Sequence, residues 1–143
     1  MRRIICYLLA LFLMIPAFAA KVITLDNLPK EAKNFITGNF SNLKIDKVTS
    51  ENKVFESSFY VVQFTNGHEV VFDLKGNWLV VDCDEDAVPN SVIIQPILDY
   101  ITKNFEGDII TQIEQSKGEY NVELQSDVSL LFDKKGNFLK LGK

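Results

Sequence analysis

The chain has 143 residues, 15 of them basic and 19 acidic, with a net charge of −4 and a pI near 5.0. Both arginines lie at positions 2 and 3, so beyond residue 19 the chain carries 15 − 2 = 13 lysines against 19 acids, a net charge of −6. An acidic chain without guanidinium groups repels polyanions and lacks the planar fork that phosphates favour, which excludes nucleic acid as a partner and argues against an anionic membrane surface.

Met1-Arg2-Arg3 is a positive leader start, Ile4 to Ile15 an apolar run too short to span a bilayer, and Ala17-Phe18-Ala19 a small-x-small cleavage site. Residues 1–19 therefore read as a secretory signal cut after Ala19. Cutting after Ala20 would place bulky Phe18 where a small residue is needed, and an uncleaved anchor would need a longer apolar run. Cys6 sits inside the apolar run and does not read as a lipid-attachment cysteine. The mature chain is expected to be soluble, periplasmic or secreted, with no membrane insertion. Cys83 is then its only thiol, so no internal disulfide forms and stability rests on the core. About 124 residues rich in Val, Ile, Leu and Phe supply one, as a single domain or as two packed repeats.

The chain repeats itself. Phe72-Asp73-Leu74-Lys75-Gly76-Asn77-Trp78-Leu79 returns sixty positions later as Phe132-Asp133-Lys134-Lys135-Gly136-Asn137-Phe138-Leu139, and Leu28-Pro29 returns as Val88-Pro89. Tyr60-Val61-Val62 and Tyr120-Asn121-Val122 share that register. Such a period marks a duplicated unit too small to bury its apolar face alone. The chain divides into a first repeat at 20–82, an acidic linker at 83–87 and a second repeat at 88–143.

Each repeat opens on a helix. Ala32, Phe35, Ile36 and Phe40 form one stripe after Pro29, with Pro29 at the first helical position; Ile93, Ile97, Tyr100, Ile101 and Phe105 form another, with Pro96 either starting that helix or kinking it. Asn39-Phe40 and Asn104-Phe105 match at an offset of sixty-five, so the second copy gains five residues near its helix and loses them before Tyr120. A first strand is expected over Leu43 to Thr49 and over Ile109 to Gln115. Tyr60, Val62 and Phe64 then alternate with Phe59, Val61 and Gln63, and Asn66-Gly67 turns the chain into Val70 and Phe72. The second copy alternates Tyr120, Val122 and Leu124 against Asn121, Glu123 and Gln125, with Ser126-Asp127 as its turn. Gly76 and Gly136 supply the positive φ of a tight turn into the last strand. The predicted class is α+β: two tandem repeats, each a helix plus a four-stranded antiparallel sheet.

The repeated Phe-Asp-x-Lys-Gly-Asn-Trp/Phe-Leu motif, with a Tyr-x-Val strand before it and an x-Pro helix start after it, resembles the PepSY-like proteins, also described as β-lactamase-inhibitor-like. The likeness covers nearly all of the mature chain, and Asp73-Leu74-Lys75-Gly76-Asn77-Trp78 is its most specific stretch; Phe138 departs from it in the second copy. The resemblance implies an exported tandem helix-plus-sheet protein with a binding or inhibitory role and no catalytic residues. Inhibition of a β-lactamase does not carry over from a fold likeness.

The two repeats differ on the face turned away from Tyr60, Val62 and Phe72. In the second copy that face is polar, with Asn121, Glu123, Gln125 and Ser129. In the first it carries Phe59, Val61 and Val71, and strand parity adds Trp78 and Val80. Phe59, Val61, Val71, Trp78 and Val80 are thus the candidate partner-binding residues, for a protein, a peptide or an envelope component, if nothing covers them; the N-terminal segment, the linker or the other repeat could do so. The alternative is a structural envelope or assembly accessory that self-associates through the same apolar face.

Other chemistry is weak. Asp82, Asp84 and Asp86 imitate the opening of a calcium loop, but Ala87 stands where the turning glycine belongs and Ile93 where the bidentate glutamate belongs, so a solvated acidic linker is the simpler reading. His68, after the Asn66-Gly67 turn, reads as a hairpin rim residue; one histidine and one cysteine make no zinc set, and no nucleophile motif is present. Cys83 between Asp82 and Asp84 reads as a small half-buried residue with a raised pKa. Asp73 and Asp133 read as hairpin caps. No catalytic residue, metal or cofactor is expected.

Overall fold

The computed structural model of the protein describes residues 20–51 and 58–142. The expected signal at 1–19 lies outside the described residues. In chain order the elements are β1 (Ala20–Ile23), α1 (Lys30–Asn39), β2 (Ile45–Glu51), β3 (Phe59–Phe64), β4 (Glu69–Asp73), β5 (Trp78–Asp82), α2 (Gln95–Asn104), β6 (Ile110–Ser116), β7 (Glu119–Leu124), β8 (Ser129–Asp133) and β9 (Phe138–Leu141). A single 3-10 turn precedes each helix, at Leu25–Asn27 and at Asn90–Val92.

The proline rules explain the helix starts. Pro29 caps α1 from just outside, and Pro96 lies in the first turn of α2, so it opens that helix and does not kink it. Ile93, expected in the helical stripe, ends the preceding 3-10 turn and is buried there. Ala32 and Ile36 of α1 and Ile97 and Ile101 of α2 point into the core.

All nine strands form one antiparallel sheet in chain order. This corrects the expectation of two four-stranded sheets. The join is made by β5 and β6, which pair through Val80↔Glu114, Val81↔Ile113 and Asp82↔Gln112. Beside β6, strand β5 takes the place that β1 takes beside β2, where Val22 pairs with Thr49. The sequence reading missed β1, whose four residues are too few to show a period.

Cross-strand register selects the buried face. One row runs Ile23, Val48, Val62, Val70, Val81, Ile113, Val122, Leu130 and Leu141 across the whole sheet. Apart from Leu141 on the edge strand, it packs under both helices with Phe72 and Phe132, making one continuous core. Each such side chain contributes about 1.5–3 kcal/mol on burial.

The elements also correct the internal alignment. From Lys30/Gln95 through Glu51/Ser116 the two halves match at an offset of 65, and from Phe59/Glu119 onward at 60. The five-residue difference therefore lies in one connection. Residues 52–58 join β2 to β3, whereas Lys117-Gly118 alone join β6 to β7. Leu28-Pro29 corresponds to Ile93-Ile94, and its match to Val88-Pro89 does not mark equivalent positions in the fold.

The Asp-x-Lys-Gly-Asn motif is a turn held by its own carboxylate. Lys75 N and Asn77 N both donate to Asp73 Oδ1 at 2.9 Å, and Asn77 Nδ2 donates to Asp73 Oδ2 at 2.9 Å. Asp133 accepts the same three bonds at 2.8, 2.9 and 2.9 Å. Partial burial pushes the Asp73 carboxyl up, but the bonds from Asn77, Lys75 and Gly76 outweigh it and hold the pKa below the usual range; at Asp133 the Asn137 side chain leads the same effect. Gly76 has φ +90°, and a Cβ there would stand 2.9 Å from both Ala32 N and Pro29 Cβ; Gly136 has φ +84° and would meet Pro96 Cβ at 2.8 Å. The turn thus seats against the start of the helix, which is why the glycine motif and the helix-opening proline occur together.

Candidate functional site

A bulge follows each of these turns. Phe72 pairs with Trp78 but Val71 pairs with Val80, leaving Leu79 as the extra residue; Phe132↔Phe138 and Leu131↔Lys140 leave Leu139 in the same position. An extra residue inverts parity. Trp78 therefore lies on the helix side, a correction to its expected place beside Val71 and Val80. Its ring stacks on Phe35 of α1 at 6.3 Å and on Tyr120 of β7 at 6.4 Å, and Gln115 Nε2 donates to its carbonyl at 2.5 Å. Trp78 bridges the two halves from within the core margin.

Phe59, Val61, Val71 and Val80 do share the face opposite the helices, in a second apolar cluster with Leu79. The register sets out two rows on this face. One runs Val22, Thr49, Val61, Val71, Val80, Glu114, Asn121, Leu131 and Lys140. The other runs Lys47, Gln63, Glu69, Asp82, Gln112, Glu123 and Ser129. Phe59, Val61 and Val71 are only 7%, 2% and 5% exposed, so they are not the uncovered patch that was expected. Leu79, Val80 and Leu131 are half-exposed, and beyond them a cavity of about 440 Å³ opens over the second half, lined by Glu114, Asn121, Ser129, Leu131 and Lys140 among others.

The polar row is acidic. Glu69 stands directly opposite Asp82 on the next strand, and like charges so placed repel. Burial, foremost, and neighbouring carboxylates after it raise the pKa of Glu69, Asp82 and Glu123, and burial alone raises that of Glu114. Gln63 Nε2 donates to Glu69 at 2.9 Å, and Asp84 N donates to Asp82 at 2.8 Å. Among the described residues, no cation makes a close ion pair with any of the four, although Lys47 attracts Glu69 and His68 attracts Asp82 from farther off. Sequence reasoning turned Glu123 outward but missed Glu69, Asp82 and Glu114 as its neighbours. The Asn66-Gly67 hairpin could have supplied the first step, since it sets Gln63 opposite Glu69; the β5–β6 pairing had no local signal.

The remaining candidates separate. His68 is 7% exposed, not a rim residue; its Nε2 lies 3.1 Å from Asp86 Oδ2, and its Nδ1 is buried without a partner. Cys83 is fully buried, and burial first, with Asp82 and Asp86 behind it, pushes its thiol up to about 12, so it stays protonated at neutral pH. Asp82, Asp84 and Asp86 do not converge. Among the described residues, no group of three or more His, Cys, Asp or Glu side chains is placed to hold a metal ion.

A nine-stranded meander with both helices on one face and two self-capped Asp-x-Lys-Gly-Asn turns defines the class. The profile described as "Putative beta-lactamase-inhibitor-like, PepSY-like" matches residues 17–59 and again 58–140, and the chain belongs to this PepSY-like family. It is similar to a "putative calcium-regulated periplasmic protein" from Bacteroides thetaiotaomicron, with 36% identity, a TM-score of 0.83, and coverage of 87% of this chain and 97% of that one. Two proteins from Bacteroides vulgatus, each described as a "putative periplasmic protein", are each 32% identical: one has a TM-score of 0.83 over 90% of this chain and 100% of its own, the other 0.82 over 87% and 99%. No curated protein matches significantly. The periplasmic location of these relatives agrees with the periplasmic or secreted location read from the sequence, and among the described residues no helix is long and apolar enough to cross a membrane.

Proposed function

We propose that the chain is a non-catalytic binding module that holds a protein or peptide on the sheet face opposite its helices. The observation that carries this reading is the one-sided placement of the helices, which leaves seven consecutive strands presenting a half-exposed polar row beside Val80, Leu79 and Leu131. Phe59, Val61 and Val71 act as the floor of that face, and Trp78 supports it from behind. The shared order of elements, the matching bulges at Leu79 and Leu139 and the two equivalent turns support reading the fold as a duplicated helix-plus-four-strand unit. Regulation by calcium, named for one relative, has no fitting residue set among those described here.

The test is capture from a native envelope extract by the parent and by a Val80→Lys/Leu131→Lys variant. Loss of the captured partner, with the fold retained by circular dichroism, supports the reading. A partner held equally by both proteins overturns it. If parent and variant differ only in concentration-dependent self-association, measured by light scattering, the structural accessory alternative replaces it.

A further inference from the structure

We infer that the partner docks on this face through a basic, extended segment whose lysines or arginines alternate with apolar residues and lie across the strands. The inference rests on the proposed binding face and names the chemistry of its occupant. Four half-exposed carboxylates occupy consecutive strands there, Glu69 on β4, Asp82 on β5, Glu114 on β6 and Glu123 on β7. The lysines on the two rows, Lys47 and Lys140, stand at the flanks, on β2 and β9. The centre of the face therefore carries net negative charge, offset only by the weak pull of Lys47 on Glu69 and of His68 on Asp82. Glu114 and Glu123 make no side-chain hydrogen bond or ion pair among the described residues, and around Glu69 the repulsion of Asp82 and Glu51 is opposed by the Gln63 hydrogen bond and by Lys47.

Spacing decides what kind of cation fits. With strands about 4.8 Å apart, Glu69 and Glu123 are separated by three steps, or roughly 14 Å. A single metal ion, which needs its oxygens at about 2.3–2.6 Å, cannot gather such a set. An extended peptide places alternate side chains roughly 6.8 Å apart, so three basic residues in a Lys-x-Lys-x-Lys register span the same distance. The half-exposed Val80 and Leu131 lie one row away, about 7 Å along the strands, and give the intervening apolar residues a surface to cover. The charges would steer the encounter and set the register, and the apolar contact would hold it.

The probe is an acetylated, amidated Lys-Val-Lys-Val-Lys-Val-Lys peptide, titrated in 0.15 M salt and followed by fluorescence anisotropy and by backbone amide shifts. A peptide of the same composition with its lysines in one block is the control. The alternating peptide should bind at least tenfold more tightly than the control, shift amides of β4–β7, and lose at least tenfold in affinity in the Glu69→Gln/Asp82→Asn/Glu123→Gln variant. Substituting exposed acids on the helices, Glu31→Gln/Asp99→Asn, should leave it unchanged. Equal binding of the two peptides, or a footprint at Asp84 to Asp86, overturns the inference. So does displacement of the peptide by millimolar Ca²⁺ with the same amides shifted by Ca²⁺ alone. A captured native partner that is lost in Val80→Lys/Leu131→Lys but kept by the triple neutral variant sinks the basic segment and spares the binding face. One kept by both variants removes the two together.

Discussion

The two halves build the same backbone and put it to different use. On the helix side their residues correspond: Phe72 with Phe132, Val62 with Val122, Val70 with Leu130, all fully buried. On the opposite face they diverge, with Phe59, Val61, Val71 and Val80 answered by Glu119, Asn121, Leu131 and Lys140. The first half has a buried apolar floor there, and the second has a cavity with polar walls. Fold is thus carried by the helix-facing rows and the capped turns, while the other face is free to vary. That is the division expected when a surface serves recognition and the core serves only packing.

The comparison is sharpest at its paired positions. Phe72→Ala and Phe132→Ala should each cost about 3–5 kcal/mol by urea denaturation, since both rings are fully buried and neither site can collapse onto the open face. A difference of more than about 2 kcal/mol between them would mean that the halves do not share the core equally. Gly76→Ala and Gly136→Ala should each cost about 2–3 kcal/mol, because a Cβ would sit at positive φ and press on the helix start. If either variant melts like the parent, the close seat of turn on helix is wrong at that end. Trp78→Ala should cost about 2 kcal/mol, less than a fully buried ring, and the parent should show a blue-shifted emission that resists a polar quencher. Fully exposed emission would return Trp78 to the open face.

The smallest effect is a pH dependence. Glu69, Asp82, Glu114 and Glu123 have folded-state pKa values raised above their unfolded ones, so the folded state binds more protons and is favoured as pH falls from neutral toward the ordinary Glu value of 4.5. Asp73 and Asp133 act in the opposite sense: their lowered values stabilise the fold above the ordinary Asp value of 3.8, and that contribution is lost as pH drops through the folded values. Denaturation midpoints should therefore peak in mild acid and fall on both sides. Glu69→Gln should raise stability at pH 7 by about 0.5 kcal/mol by relieving the cross-strand repulsion, and it should flatten the rise on acidification. A midpoint that falls steadily from pH 7 to pH 5 would contradict the burial assigned to these carboxylates.

Much of this fold was legible in the chain. The alternation around Tyr60 and Tyr120, the Asn66-Gly67 turn and the two Asp-x-Lys-Gly-Asn stretches located six strands, and the helical stripes located both helices. Other features were hidden, each for a physical reason. Trp78 was put on the wrong face because a bulge adds one residue without altering composition, and period-two reasoning inverts beyond it. The fusion into one sheet was hidden because β5–β6 pairing is a long-range contact with no local signature. The chance match of Leu28-Pro29 with Val88-Pro89 suggested an insertion in the helix, whereas the length change sits in the connection after β2. The acidic row follows only once register is known, so neither Glu69 nor Asp82 stood out in the sequence.

The seam at β5 and β6 also makes the architecture open-ended. The last strand of one unit serves as the first neighbour of the next, so the repeat adds strands edge to edge without closing the sheet. The outer edge of β9 is the position from which a further unit would grow. Where β5 meets its neighbour with Val80, β9 carries Lys140, and Gly142 N bonds back to Ser129 O at 2.7 Å to finish the strand. A lysine on an edge strand discourages another chain from pairing there. At the same position of the unit, Val80 faces a paired neighbour, whereas Lys140 stands on a strand whose outer edge is unpaired among the described residues.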